Sequence, residues 1–224
     1  MGKTLKQIAE IAGTSIATVS KVVNKKTHDI SDETVKRVEA ILKKEGYQPN
    51  QIARTMKTNK TKTIGLLIPD IRNPFFTEIA RGAEDAANDA GYTVFLCNTD
   101  DNFNKELKYL SELNSRIIDG IIIAGSYERH VEQEEQYMQS APMVAIDRVV
   151  SYPSKVSFIT TDNFKSSRKL TQALVEMGHS NYIYIGGPIE SDVTVNRYEG
   201  FVKALKDNNI NSHQSAFGKY SVES

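Results

Sequence analysis

The chain has 224 residues, 39% of them hydrophobic, and its charged residues balance to a formal net charge of zero. That is room for one large domain, or for a small domain joined to a larger one. A single cysteine excludes an internal disulfide framework; with no membrane-length apolar run and no basic-then-apolar leader, a cytoplasmic protein is expected.

The zero hides a split. Residues 1–62 hold 13 Lys and Arg against 6 Asp and Glu, a net +7, and residues 63–224 carry the compensating −7. A basic head on an acidic body points to a polyanion partner for the head, with a merely solvated basic surface as the alternative on charge alone.

In chain order, "TLKQIAEIAG" predicts a short helix. Thr4 and Gln7 have the spacing of a capping box, and Leu5, Ile8, Ala9 and Ala12 give one apolar face. Gly13 permits a sharp turn, after which Ser15 can cap a second helix running to about Val23. Two short helices joined by a glycine turn make a helix-turn-helix. A third helix is predicted over 32–45, capped by Ser31, with Val35, Val38, Ile41 and Leu42 inward and Gly46 placed to end it. Pro49 keeps Gln48 extended, Asn50 can cap, and Gln51 to Lys57 allow two helical turns, marginal alone in water, before the polar linker "KTNKTK".

From Thr63 the period changes. "TIGLLIPD", "YTVFLCN", "DGIIIAG", "PMVAID", "VSFITTD" and "YIYIGG" are short apolar or β-branched runs. Helix-patterned stretches separate most of them, at about 76–90, 103–115, 131–139, 164–177 and 195–207. Near-continuous apolar strands alternating with helices predict parallel, doubly wound sheets covered on both faces. Ligands bind such sheets at the carboxyl ends of the strands, which singles out "PDIRNPFF", "NTDDN", "AIDR" and "GGPIE". Cys97, inside an apolar run, is expected to be a buried structural thiol.

"TLKQIAEIAGTSIATVSKVVN", "GYQPNQIARTMKTNKTKTIGLLIPDIRNPFF", "GHSNYIYIGGP" and "NRYEGF" together resemble the lactose/galactose-repressor (LacI/GalR) family of bacterial transcription factors, from Thr4 to the end of the chain. The resemblance implies an all-α helix-turn-helix headpiece over 1–48 and a hinge helix with linker over 49–62. It further implies an α/β core like that of periplasmic sugar-binding proteins, divided into a first subdomain over 63–161 and part of a second over 162–224. Members are dimers or tetramers on palindromic operators, controlled by a small effector in the core cleft. The expectation is therefore a DNA-binding regulator, a repressor, acting as a homodimer on double-stranded DNA under a sugar or related metabolite. Alternatives are a solute-binding module and a non-inducible truncated regulator.

The residues of the head suit that role. A recognition helix enters a major groove about 12 Å wide, so its leading face should be narrow and lightly charged. Ser15, Thr18 and Ser20 suit phosphate oxygens, Ile16 and Ala17 can meet thymine methyls, and Lys21 can reach a guanine edge or a phosphate. By resemblance Ile16, Ala17 and Lys21 are the base readers, and Thr4, Leu5, Asn24, Tyr47, Asn50 and Arg54 join the DNA-facing set. The alternative for Ile16 is packing inside the bundle. In the hinge, Met56 takes the position of the minor-groove wedge and Ala53 permits close approach, against a plain flexible linker.

In the core, the resemblance assigns Asn73, Phe75, Phe76, Asp147, Arg148 and Arg197 to the effector. Asn73 can bond a polyol, the two phenyl rings can stack on a sugar or planar base, and an arginine fork suits hydroxyls or carboxylates. A core pair for Phe75 with Phe76 and a surface ion pair for Asp147 with Arg148 stay open. Asp70, Asp100 and Asp101 lie near strand ends as in a phosphoacceptor receiver, but no strand-end lysine accompanies them. His28, His130, His179 and His213 lack metal-ligand spacing, and no Gly-rich phosphate loop or catalytic set is present. No enzyme activity, metal or cofactor is expected. In relatives the stretch "GKYSVES" opens a further helix, and more chain completes the second subdomain. An unfinished sheet, doubtful effector binding and weakened dimerisation are expected on that ground.

Overall fold

The computed structural model describes residues 3–47, 60–127, 141–148, 150 and 156–220. The chain divides into two compact units, residues 1–59 and 60–224.

In the first unit, α1 (Leu5–Ala12) opens with the expected reciprocal box: the Thr4 hydroxyl accepts from Gln7 N–H at 3.3 Å, and Thr4 N–H donates to Gln7 Oε1 at 2.8 Å. Gly13 adopts φ +59°, a left-handed conformation that glycine takes without penalty, and the chain turns into α2 (Ile16–Val23), capped by Ser15. α3 (Asp32–Lys44) is capped by Ser31, ends at Glu45 and is followed by Gly46 at φ +58°. Ile8, Val19 and Val38, one from each helix, are fully buried together, each contributing about 1.5–3 kcal/mol. Val35, Ile41 and Leu42 pack on them as the spacing predicts.

The second unit contains a parallel five-stranded sheet in the order β2-β1-β3-β4-β5, built from β1 (Thr63–Ile68), β2 (Thr93–Asn98), β3 (Gly120–Ile123), β4 (Met143–Ile146) and β5 (Val156–Ile159). Its helices are α4 (Pro74–Asp89), α5 (Phe103–Ser115), α6 (Asn163–Glu176) and α7 (Asp192–Asp207). The alternation along β1 explains its unbroken apolar run. Leu67 packs with Leu107, Leu110 and Leu113 of α5, whereas Leu66 and Ile68 pack with Phe76, Ile79 and Ala80 of α4. Gly65 is required by that packing: a Cβ there would stand 2.6 Å from Leu113 Cδ1. Cys97 is buried, and burial pushes its thiol up from the usual range.

A second, two-stranded parallel sheet pairs β6 (Ile183–Gly186) with β7 (Gln214–Phe217). Its helices α6 and α7 approach at backbone distance: a Cβ on Gly200 would lie 2.2 Å from the Phe164 carbonyl oxygen.

Three expectations need correction. Burial on both faces holds for the central strands but not for the edge strand β2, where Phe95 (48%) and Leu96 (42%) are exposed, nor for β5 or β6, where Phe158 (48%), Ile159 (62%), Ile183 (65%) and Ile185 (83%) are exposed. β5 is an edge strand, and β6 has a neighbour on one side only. Strand β7 went unpredicted because "QSAF" is short, partly polar and exposed throughout. Helix α7 starts at Asp192, three residues before its predicted start. The helix predicted over 131–139 and the hinge turns over 51–57 lie outside the described residues.

Candidate functional site

The outward face of α2 is built by the same spacing that fills the head's core. With Val19 and Val22 inward, Ile16 (48% exposed), Ala17 and Lys21 face solvent, so Ile16 does not pack inside the bundle. The Ser15 hydroxyl accepts from Thr18 N–H at 3.0 Å and lies 2.9 Å from the Thr18 hydroxyl. These are ordinary cap contacts at a helix N-terminus, where backbone N–H groups and the dipole favour an anion. Ser20 is half-buried, and its carbonyl accepts from Asn24 Nδ2 at 2.7 Å. Lys21 forms an ion pair with Asp29 in the loop before α3.

The other assigned head residues are dispersed. Thr4 is exposed at the α1 cap, while Leu5 and Tyr47 turn toward the head's core, where burial raises the Tyr47 phenol above its usual range. Asn50, Ala53, Arg54 and Met56 lie outside the described residues.

In the second unit, the carboxyl ends of the strands border two adjoining cavities of about 1010 and 250 Å³ that share Tyr127, Arg148 and Glu190. Arg148 stands between them, 8% exposed. Its Nη1 donates to Asp101 Oδ1 and to the Gly125 carbonyl, both at 2.8 Å. Its guanidinium lies 3.5 Å from the Tyr127 ring centroid and 5.4 Å from that of Phe76. Asp101 Oδ1 also accepts from Tyr127 N–H at 3.1 Å. The preceding residue is fixed in the same way: Ser126 N–H and Oγ donate to the fully buried Glu106 at 2.7 and 2.8 Å.

Asp147 adopts φ +65°, and Arg148 N–H bonds back to the Ile146 carbonyl at 2.7 Å, the i to i+2 bond of a γ-turn. That turn leaves the Asp147 carboxylate lining the smaller cavity, 3.9 Å from Arg148 Nε. Burial raises its carboxyl above the usual range, against the opposing pull of Arg148 and Arg197.

Of the six assigned effector residues, Asn73, Phe76, Asp147 and Arg148 line these cavities. Asn73 caps α4 through Oδ1 to Phe75 N–H at 3.0 Å. Phe76 is 3% exposed and belongs to the core while its ring backs Arg148. The two that do not line them are Phe75 and Arg197. Phe75 is 50% exposed, with its ring against Phe76 in a T-shaped contact at 5.1 Å, because α4 turns consecutive residues about 100° apart. Arg197 Nε donates instead to Asn163 Oδ1 at 2.8 Å, bridging α7 to α6. Sequence reasoning missed Tyr127 and the supporting Glu106; it singled out the loop that holds Asp101 but gave that residue no role beyond the receiver pattern. The one signal was a carboxylate, Glu106, on the buried face of α5 beside Phe103, Leu107 and Leu110.

Among the described residues no group of three or more His, Cys, Asp or Glu could hold a metal ion, and no helix is long and apolar enough to cross a membrane.

Together these features define a two-part protein: a helix-turn-helix unit, and a parallel α/β unit with a cavity at its strand ends. Residues 4–50 match the family of bacterial regulatory proteins described as lacI, and residues 61–219 match the periplasmic binding proteins and sugar binding domain of the LacI family. The chain belongs to the LacI family. It is 39% identical over 207 residues to the ribose operon repressor of Halalkalibacterium halodurans, covering 92% of this chain and 61% of that one. A LacI-type regulator from Alkaliphilus metalliredigens, complexed with D-xylulofuranose, is similar to it at TM-score 0.62 and 31% identity over 72% of this chain and 59% of that one. The lac repressor dimer bound to operator shares the fold at TM-score 0.80 and 24% identity, covering 99% of this chain and 67% of that one. The chain thus spans about three-fifths of the length of the ribose operon repressor it matches.

Proposed function

We propose that the chain is an operator-binding transcriptional repressor whose core takes a neutral sugar as effector. The observation that carries the DNA-binding half is the leading face of α2, where exposed Ile16 and Ala17 stand beside Lys21 in a basic stretch, residues 1–62, of net +7. An uncharged, small-residue face at a helix N-terminus suits methyl contacts in a major groove, with Ser15, Thr18 and Ser20 near phosphates. As a homodimer, two such heads would read a palindromic site, and paired hinge segments would place Met56 as a minor-groove wedge beside Ala53.

For the effector, Arg148 supplies guanidinium donors, Asp147 a carboxylate and Asn73 an amide at the cavities. Acidic residues outnumber basic ones in both linings, and the charge of Arg148 is already met by Asp101. That balance supports an uncharged polyol over a sugar phosphate. Effector binding that favours one pose of the core over another would alter operator affinity through the linker.

Selection of bound sites from random duplex DNA, with and without ribose, other neutral sugars and sugar phosphates, tests the proposal. A palindromic consensus whose occupancy changes with a neutral sugar is expected. No consensus sinks the DNA-binding reading, and a response to phosphorylated sugars alone sinks the effector reading.

A further inference from the structure

Asp119, immediately before β3, holds the two residues that precede β1. Its Oδ1 accepts from Thr61 N–H at 2.8 Å and from the Thr61 hydroxyl at 3.1 Å, and its Oδ2 accepts from Lys62 N–H at 3.1 Å. The contact spans 57 to 58 residues of sequence and takes up both oxygens of a carboxylate. Burial opposes ionisation, yet the bonds from Thr61 and Lys62 hold the Asp119 carboxyl below its usual range.

Lys62 is secured from a second side. Its ammonium stands 4.1 Å from the centre of the Tyr92 ring, and its carbonyl accepts from Thr93 N–H at 2.9 Å. It adopts φ +58°, a conformation a lysine keeps only where its surroundings impose it. Residues 61 and 62 are thus fastened to both neighbours of β1, the start of β3 and the start of β2. Regular hydrogen bonding of the sheet needs no such side-chain staple, since β1 begins only at Thr63.

These residues are where the core continues into the segment leading to the helix-turn-helix unit. The same two central strands, β1 and β3, run at their other ends into Pro69 and Asp70 and toward Ser126 and Tyr127 at the cavities.

We propose that Asp119 is a positioning residue for operator binding: it fastens the linker to the core, fixing where and in what direction the chain departs toward the DNA-binding unit. The proposal rests on the DNA-binding reading above. An operator complex requires an ordered linker, whereas nonspecific binding through phosphates does not. If residues 61 and 62 were loose, their backbone would have to be ordered at the moment of specific binding. Re-fixing the backbone of one residue corresponds to roughly a tenfold loss of affinity.

The test uses the full chain and its Asp119→Ala, Asp119→Asn and Thr61→Val variants. Amide hydrogen exchange follows residues 61 and 62, and affinity is measured for a selected operator and for random duplex DNA at one salt concentration. Asp119→Ala should speed exchange at 61 and 62 while Ile121 and Ile122 stay protected. It should also weaken operator binding about tenfold with less than a twofold change on random DNA. Asp119→Asn keeps one acceptor oxygen and should fall between, and Thr61→Val, which removes a single donor, should lose least. Asp119→Asn also provides the comparison if the alanine variant melts.

Unchanged exchange at 61 and 62, equal losses on both DNAs, or retained discrimination would overturn the role of Asp119. If the unaltered chain selects no sequence at all, the DNA-binding reading falls and takes this role with it. If the chain selects a site and Asp119→Ala keeps full discrimination, Asp119 alone is discounted.

Discussion

Lys21 on the outward face of α2 is ion-paired with Asp29, a residue of the loop that leads into α3. The pair is half-exposed on both sides, and the Lys21 hydrogen bond holds the Asp29 carboxyl below its usual range. A base or phosphate reached by Lys21 must therefore compete with a carboxylate of the same unit. Asp29→Asn should raise DNA affinity severalfold at low salt, through the freed lysine and through loss of a charge facing phosphates. Because exposed charges are screened, the gain should shrink as salt rises. Titrations of the full chain at several salt concentrations check this, and an affinity that falls on substitution would place Lys21 away from DNA.

The hinge assignment yields a separate test. Met56→Gly should weaken operator binding far more than random-sequence binding, since a wedge acts only where base steps are opened. Equal losses would leave Met56 no wedge role. Unlike Asp119→Ala, Met56→Gly should leave exchange at residues 61 and 62 unchanged.

Arg148 combines a flat face on Tyr127 with two 2.8 Å donations through one nitrogen. Lysine offers neither the stacked plane nor the fork. Arg148→Lys should abolish the effect of sugar on operator affinity while leaving binding without sugar intact. Arg148→Met should also destabilise the core by about 1–3 kcal/mol, because Asp101 and the Gly125 carbonyl lose the charged donor of a nearly buried side chain. Urea denaturation and operator titration with sugar separate the two effects.

The parts legible in the sequence were those governed by local rules. Thr4 and Gln7, Gly13, Ser15 and Ser31 announce their caps and turn by chemistry alone, and the run at β1 announces a buried strand because both its faces are covered. The cavity was legible only in part. Asn73 and Phe76 were visible as a loop motif after β1, but Phe75 beside them was assigned with them, since a two-residue run does not say which ring the helix turns inward. Tyr127 and Asp101 meet Arg148 across 21 and 47 residues of sequence, and no spacing rule reports such a meeting. Strand β7 depends on β6 for its hydrogen bonds, so its own composition carries little signal.

Glu106 tests whether the cavity wall is preset. Its carboxylate is fully buried and takes both donors of Ser126. Glu106→Ala leaves a buried N–H and hydroxyl without that acceptor, at a cost of about 1–3 kcal/mol, and it loosens the residue next to Tyr127. Glu106→Gln keeps an acceptor oxygen at the same reach and should cost less. Sugar affinity should follow the same order, and a variant that loses stability with unchanged sugar affinity would confine Glu106 to the core.

Asp147 offers a prediction in pH. Burial raises its folded carboxyl above the ordinary value of 3.8, so the folded state holds a proton that the unfolded chain would release. Above the raised value the full penalty for the buried charge applies; between that value and 3.8 it is relieved as pH falls, and below 3.8 it vanishes. Asp147→Asn removes the charge and should stabilise the chain at neutral pH, with the advantage disappearing as pH approaches 3.8. The same substitution removes an acceptor for sugar hydroxyls from the cavity and should weaken the effector response. Thermal melts of both proteins across acidic to neutral pH, beside operator titrations with sugar, read the two effects together. A variant less stable at neutral pH would mean that the pull of Arg148 and Arg197 outweighs burial at this carboxylate.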